Sequence, residues 1–138
     1  MNRKVVSSPK APVPIGPYEQ GIVMDGLLFT SGQIGVDPAT GRLVEGGVEM
    51  QAETVFRSLL AILEEAGSSP QDVLKVNLYL RNLEDFSKVN EIYRRFFGDK
   101  PPARTTVEVS GLPMGAAMEA DLVARVPQGR RSRKPWPR

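Results

Sequence analysis

Between Val48 and Val126 the hydrophobic period runs helical, alternating, helical and alternating again, which commits the chain to helices laid against a sheet. From Val48 to Ala66, the residues Ala52, Val55, Phe56, Leu59, Leu60 and Leu63 recur at helical spacing. Glu53, Arg57 and Glu64 fall elsewhere, and Gly67 is placed to end the helix. Val73 to Leu80 reads as a strand with Leu74, Val76, Leu78 and Leu80 on one face. A second helix is expected over Leu83 to Phe97, with Phe86, Val89, Tyr93, Phe96 and Phe97 on one side and Gly98 at its end. Two alternating strands follow, one from Arg104 to Ser110 and one from Met118 to Val126. Ahead of these elements, Gly21–Met24 and Leu27–Ser31 flank Asp25-Gly26, a two-residue hairpin signal. A short strand is expected over Arg3 to Val6. Four prolines between Ser7 and Gln20 exclude regular pairing there, and Gly32 to Gly47 reads as loop.

This order predicts an α+β fold, a mixed sheet with both helices on one face. The other face would carry Lys75, Asn77, Tyr79, Thr106, Glu108, Glu119, Asp121 and Val123. Such a mixture suits either burial against further copies of the chain or a solvated antiparallel face.

The chain has 138 residues, enough for one domain, and contains neither Cys nor His. That excludes disulfides, thiolate nucleophiles and soft-metal sites, and it removes the commonest general base. Any catalysis must use carboxylates, hydroxyls, Lys, Arg or backbone groups. The net charge of +2 is unevenly placed: Arg130, Arg131, Arg133, Lys134 and Arg138 all lie in a Pro/Arg-rich tail, residues 127–138, without an acid. Without that tail, residues 1–126 carry a net charge of −3 and form the expected domain. The tail reads as disordered and solvated, and its five charges give at most weak, salt-sensitive contact with anions. No signal-peptide core stands at the N-terminus, and the longest apolar run, Leu59 to Leu63, is too short to span a bilayer. A cytoplasmic protein without a membrane partner is expected.

Arg104 stands at the mouth of its strand, just after the Pro101-Pro102 pair. Its guanidinium is a planar, permanently charged fork suited to gripping a carboxylate at two points. Glu119 lies near the start of the last strand. If those two strands pair, a carboxylate anchor and a water-activating acid share one cleft; a structural ion pair is the alternative.

Several segments together resemble the RidA (YjgF-like) family of enamine/imine deaminases. They are Ile15-Gly16-Pro17-Tyr18, Thr30-Ser31-Gly32-Gln33, Val89-Asn90 with Tyr93 and Phe96-Phe97, Pro102-Ala103-Arg104, and Met118-Glu119-Ala120. Their order and spacing, over residues 3–126, carry the likeness more than any single motif does. The resemblance implies a chorismate-mutase-like fold and a homotrimer with a central barrel-like sheet assembly and clefts between subunits. It implies hydrolysis of imines derived from 2-aminoacrylate and 2-aminocrotonate to 2-keto acids and ammonia, with no cofactor and no metal. Carried over by position, Arg104 would hold the substrate carboxylate and Glu119 would activate the water. Tyr18, Ser31, Gly32 and Asn90 would shape the cleft. Thr106 stands where relatives often have cysteine, so it keeps a small hydrogen-bonding group and excludes thiol chemistry. The tail has no counterpart in the family pattern.

Two other functions fit parts of the pattern. A non-catalytic regulator that binds a small carboxylate metabolite needs Arg104 but not Glu119. A ribonuclease or translation inhibitor is opposed by the missing histidine and by the acidic domain, since phosphodiester chemistry and RNA affinity favour the reverse.

Overall fold

A computed structural model describes residues 2–128. The predicted tail therefore lies, from residue 129 onward, outside the described residues.

The helix α1, Gly47–Glu65, is entered through Gly46 and Gly47, both at positive φ, and closed by Gly67 at φ 81°. There the Ser68 N–H donates to the Leu63 carbonyl (2.8 Å) and the Gly67 N–H to that of Glu64 (3.1 Å), the paired bonds of a glycine-terminated helix end. The second predicted helix is split. A single 3-10 turn, Leu83–Asp85, is capped by the Asn82 side chain and runs into α2, Phe86–Phe97.

The strands are β1 (Lys4–Val6), β2 (Gly21–Met24), β3 (Leu27–Thr30), β4 (Gln33–Ile34), β5 (Val36–Asp37), β6 (Arg42–Leu43), β7 (Val73–Leu80), β8 (Ala103–Glu108) and β9 (Met118–Arg125). The hairpin β2–β3 turns through Asp25 and Gly26, both at positive φ, as an Asx-Gly pair allows. The segment 32–47, expected to be loop, instead holds three two-residue strands: β4 pairs with β9, and β5 with β6. Two residues carry no detectable alternation, which is why the pattern does not reveal them.

The main sheet has the order β1-β2-β3-β9-β7-β8 with β4 also on β9, and only β7 and β8 run parallel. Both helices cover the same face. Val55, Phe56, Leu59, Ile62 and Leu63 of α1 and Val89, Ile92 and Tyr93 of α2 join Leu28, Val76, Leu78, Leu80, Met118, Ala120, Leu122 and Ala124 in one core. The predicted helix-on-sheet architecture is thus present. One detail of β7 differs. A bulge between Val73 and Lys75 shifts the register, so Val73 is buried and Leu74, expected inward, is half exposed.

The uncovered face carries Val5, Ile22, Phe29 and Val123 in cross-strand sequence, then Lys75, Asn77, Asp121, Tyr79 and Glu119. Thr106 and Glu108 were expected on it, and the structure corrects this. Parallel pairing sets Arg104, Thr106 and Glu108 beside Val76, Leu78 and Leu80, on the helix side of the sheet edge. Among the described residues, no helix is long and apolar enough to cross a membrane.

Candidate active site in two half-sites

The sequence-predicted residues fall into two groups. The first surrounds Arg104, which the β8 register aims at α2. Its Nε–H donates to Thr106 Oγ1 at 2.9 Å and its Nη2 to Asn90 Oδ1 at 2.7 Å. The Cζ atom lies 5.2 Å from the centroid of the Phe86 ring and 4.7 Å from that of Tyr93. The Tyr93 ring is itself held by Phe56 at 5.6 Å and Phe97 at 4.5 Å. Burial raises the Tyr93 pKa, with the Arg104 guanidinium pulling the other way. An open cleft of about 310 Å³ borders this group, lined by Asn90, Tyr93, Arg94, Gly98, Pro101, Pro102 and Arg104. Asn90 and Thr106 thus have their acceptor oxygens turned to the arginine. What they present outward is an oriented guanidinium, with both Nη1 hydrogens and one Nη2 hydrogen still to offer.

The second group surrounds Glu119. The proline-rich segment before it is tied down by the buried Gln20, whose Nε2 donates to the carbonyls of Ser8, Ala11 and Pro12 and whose Oε1 accepts the Ser8 N–H at 2.6 Å. This fixes Tyr18, whose hydroxyl accepts the Ile15 N–H at 3.3 Å and keeps its own proton to donate. Ser31 donates its hydroxyl to the Glu19 carbonyl at 2.5 Å, so it fastens β3 to the loop. Gly32 follows, and the Glu119 carboxylate lies against it where a Cβ would otherwise stand. Tyr18 and Gly32 line a small hollow with Val13, Ile15, Ile34 and Val36. Burial raises the Glu119 pKa above the usual carboxylate range, and the nearby charge of Asp121 adds to the effect. Asp121 is in turn held by Asn77 Nδ2 at 2.8 Å and by the Tyr79 hydroxyl at 3.2 Å.

The two groups do not meet within one chain. The strands of Arg104 and Glu119 do not pair; both flank β7, with Arg104 level with Val76 and Glu119 level with Tyr79. Positions three apart on a strand point to opposite faces. Three residues along β7 and two strand spacings put the two backbones roughly 14 Å apart. A shared cleft within one chain, which required those two strands to pair, is therefore absent, and so is an Arg104–Glu119 ion pair among the described residues. Sequence reasoning assigned Phe86 and Tyr93 to the core stripe of the helix alone. The signal was their spacing around Asn90, at i, i+4 and i+7.

The chemistry available is that of one oriented cation, one carboxyl poised to hold or release a proton, and a tyrosine donor. Among the described residues no group of three or more Asp or Glu side chains is arranged to hold a metal ion.

Comparison with known proteins gives a consistent result. The family described as Endoribonuclease L-PSP matches residues 8–126. A RutC family protein of Pyrococcus abyssi is 47% identical over 124 residues, covering 90% of this chain and 98% of the relative. The human 2-iminobutanoate/2-iminopropanoate deaminase is 42% identical over 122 residues, covering 88% and 89%. The crystal structure of YyfA, a Rid-family protein of Yersinia pestis, superimposes with a TM-score of 0.88 at 41% identity, covering 91% of this chain and all of that one. With the motifs, the mostly antiparallel sheet under two helices and these relatives in agreement, the chain belongs to the RidA (YjgF-like) family.

Proposed function

We propose that this protein hydrolyses 2-imino acids, the reactive products of 2-aminoacrylate and 2-aminocrotonate, to 2-keto acids and ammonia. The reaction uses no cofactor and takes place in clefts between the subunits of a homotrimer. The observation that carries this reading is the Glu119 carboxyl, half-buried against Gly32 with a raised pKa. The human relative's name supports the reaction class.

Arg104 takes the substrate carboxylate on its free edge, which fixes the imine carbon in place. Glu119, ionised, accepts a proton from water as the water oxygen adds to the protonated imine carbon, giving a carbinolamine. Glu119 then returns that proton to the nitrogen. The C–N bond breaks, ammonia leaves with the bonding pair, and the hydroxyl proton departs to Glu119 as the carbonyl forms; Glu119 passes that proton to the ammonia and is ionised again. A carboxyl pKa moved upward suits a group that must both take and give a proton. The electrophile is activated by its own protonation, so no metal or strong nucleophile is required.

Because Arg104 and Glu119 face opposite sides of one sheet, a complete site takes them from different subunits. The uncovered face, part apolar and part hydrogen-bonded, is the surface available for such assembly. The direct test is keto-acid release, with a coupled assay, from 2-aminoacrylate and 2-aminocrotonate generated enzymatically. Release at the uncatalysed rate would overturn the activity.

A further inference from the structure

Arg104 is not held by hydrogen bonds alone. Thr106 and Asn90 engage one edge of its guanidinium, and two aromatic rings of α2 lie within cation–π distance of Cζ. The rings differ in their setting. Tyr93 is buried and braced by Phe56 and Phe97, so it is part of the core. Phe86 opens the helix, is 40% exposed and has no ring contact with Phe56 or Tyr93. The Arg104 guanidinium stands beside Phe86, with Cζ 5.2 Å from the ring centroid. The hydroxyl of Tyr93 is buried and meets no hydrogen-bond partner in good geometry among the described residues, although it lies near enough to Arg104 for the guanidinium to pull its pKa down.

We propose that Phe86 and Tyr93 are positioning residues of the carboxylate anchor. Their rings restrict the guanidinium to one plane, and the hydrogens left over on Nη1 and Nη2 then face the cleft as a ready pair. Rotation of a free arginine would have to be frozen on binding; here it is frozen beforehand. The proposal rests on the carboxylate-binding reading for its purpose, but the restraint on Arg104 exists with or without ligand.

The test has two arms. Calorimetry with 2-oxobutanoate, a non-reacting keto acid, is run on the full chain and on Phe86→Leu, Phe86→Tyr and Tyr93→Phe. Phe86→Leu should weaken Kd by about 3- to 30-fold, the span expected of a cation–π contact. The loss should fall on KM more than on kcat. The two variants that keep both rings should rescue binding to within about twofold of the original. In the second arm, the Arg104 Nε–H resonance, assigned by its loss in Arg104→Lys, should move downfield and broaden in Phe86→Leu as ring shielding and restraint disappear. Equal Kd and an unmoved resonance in Phe86→Leu would overturn the proposal. If the resonance moves as expected while the unaltered protein binds no 2-oxobutanoate, the clamp stands and the carboxylate reading fails.

Discussion

The Glu119 carboxylate fills the space that a side chain at position 32 would occupy. Gly32 has no positive φ, so its glycine is required by this contact and not by the backbone. Gly32→Ala should therefore fold normally yet push the carboxylate aside. A displacement of about 1 Å at a proton-transfer group costs on the order of a hundredfold in rate. Steady-state turnover of the imine, beside a melting curve, checks this; an active Gly32→Ala would show that Glu119 works from a different rotamer.

Glu119→Gln keeps size and hydrogen bonding but removes the base, and should cut kcat roughly a hundredfold or more while 2-oxobutanoate still binds. Its effect on stability has a sign. A raised native pKa means that the folded chain holds this proton more tightly than the unfolded one, so the stabilisation is present below the unfolded value and lost as pH rises through the folded one. As pH rises from about 4, the Tm of Glu119→Gln should accordingly gain on that of the unaltered protein. Parallel curves would mean that the carboxyl titrates alike in both states.

Asp121→Asn removes the charge that adds to burial in raising Glu119. The acid limb of the kcat profile, where activity is lost as Glu119 gains its proton, should move to lower pH. A limb that stays put would assign it to another group.

Arg104→Lys keeps the charge but not the fork, and loses the bonds to Thr106 and Asn90 together. Binding of 2-oxobutanoate should weaken at least tenfold, about 1.4 kcal/mol, as read by calorimetry. Undiminished binding in Arg104→Ala would place the carboxylate elsewhere.

Light scattering should give about three times the 15.1 kDa chain mass, and a stable monomer would dispose of an intersubunit site. Mixing two dead variants is a sharper test. If each cleft draws Arg104 from one subunit and Glu119 from the next, refolding Arg104→Ala with Glu119→Gln at equal ratio restores both groups in about a quarter of clefts. A site within one chain would regain nothing.

Much of the fold was legible because it is local. The bounds of β7 follow directly from alternation, the hairpin from Asp25-Gly26, and the end of α1 from Gly67. What the pattern could not supply was non-local. Alternation shows that Arg104 and Glu119 sit on strands, but their facing depends on which strand lies between them, and β7 does. Thr106 and Glu108 were misplaced for the same reason. Phe86 and Tyr93 were visible as apolar residues, yet their second role needs a cation brought from a strand further along the chain.

The bulge at the start of β7 affects how the chain tolerates changes in length. Between Val73 and Lys75 this strand advances two residues while β9 advances one. A residue gained or lost in the connection from Gly67 to Leu74 can be absorbed there, by enlarging or dissolving the irregularity. The phase of Asn77 and Tyr79, and with it the side of the sheet on which Asp121 is gripped beside Glu119, is set downstream and does not invert. Homologous chains can thus drift in length at this joint without turning their chemistry inside out.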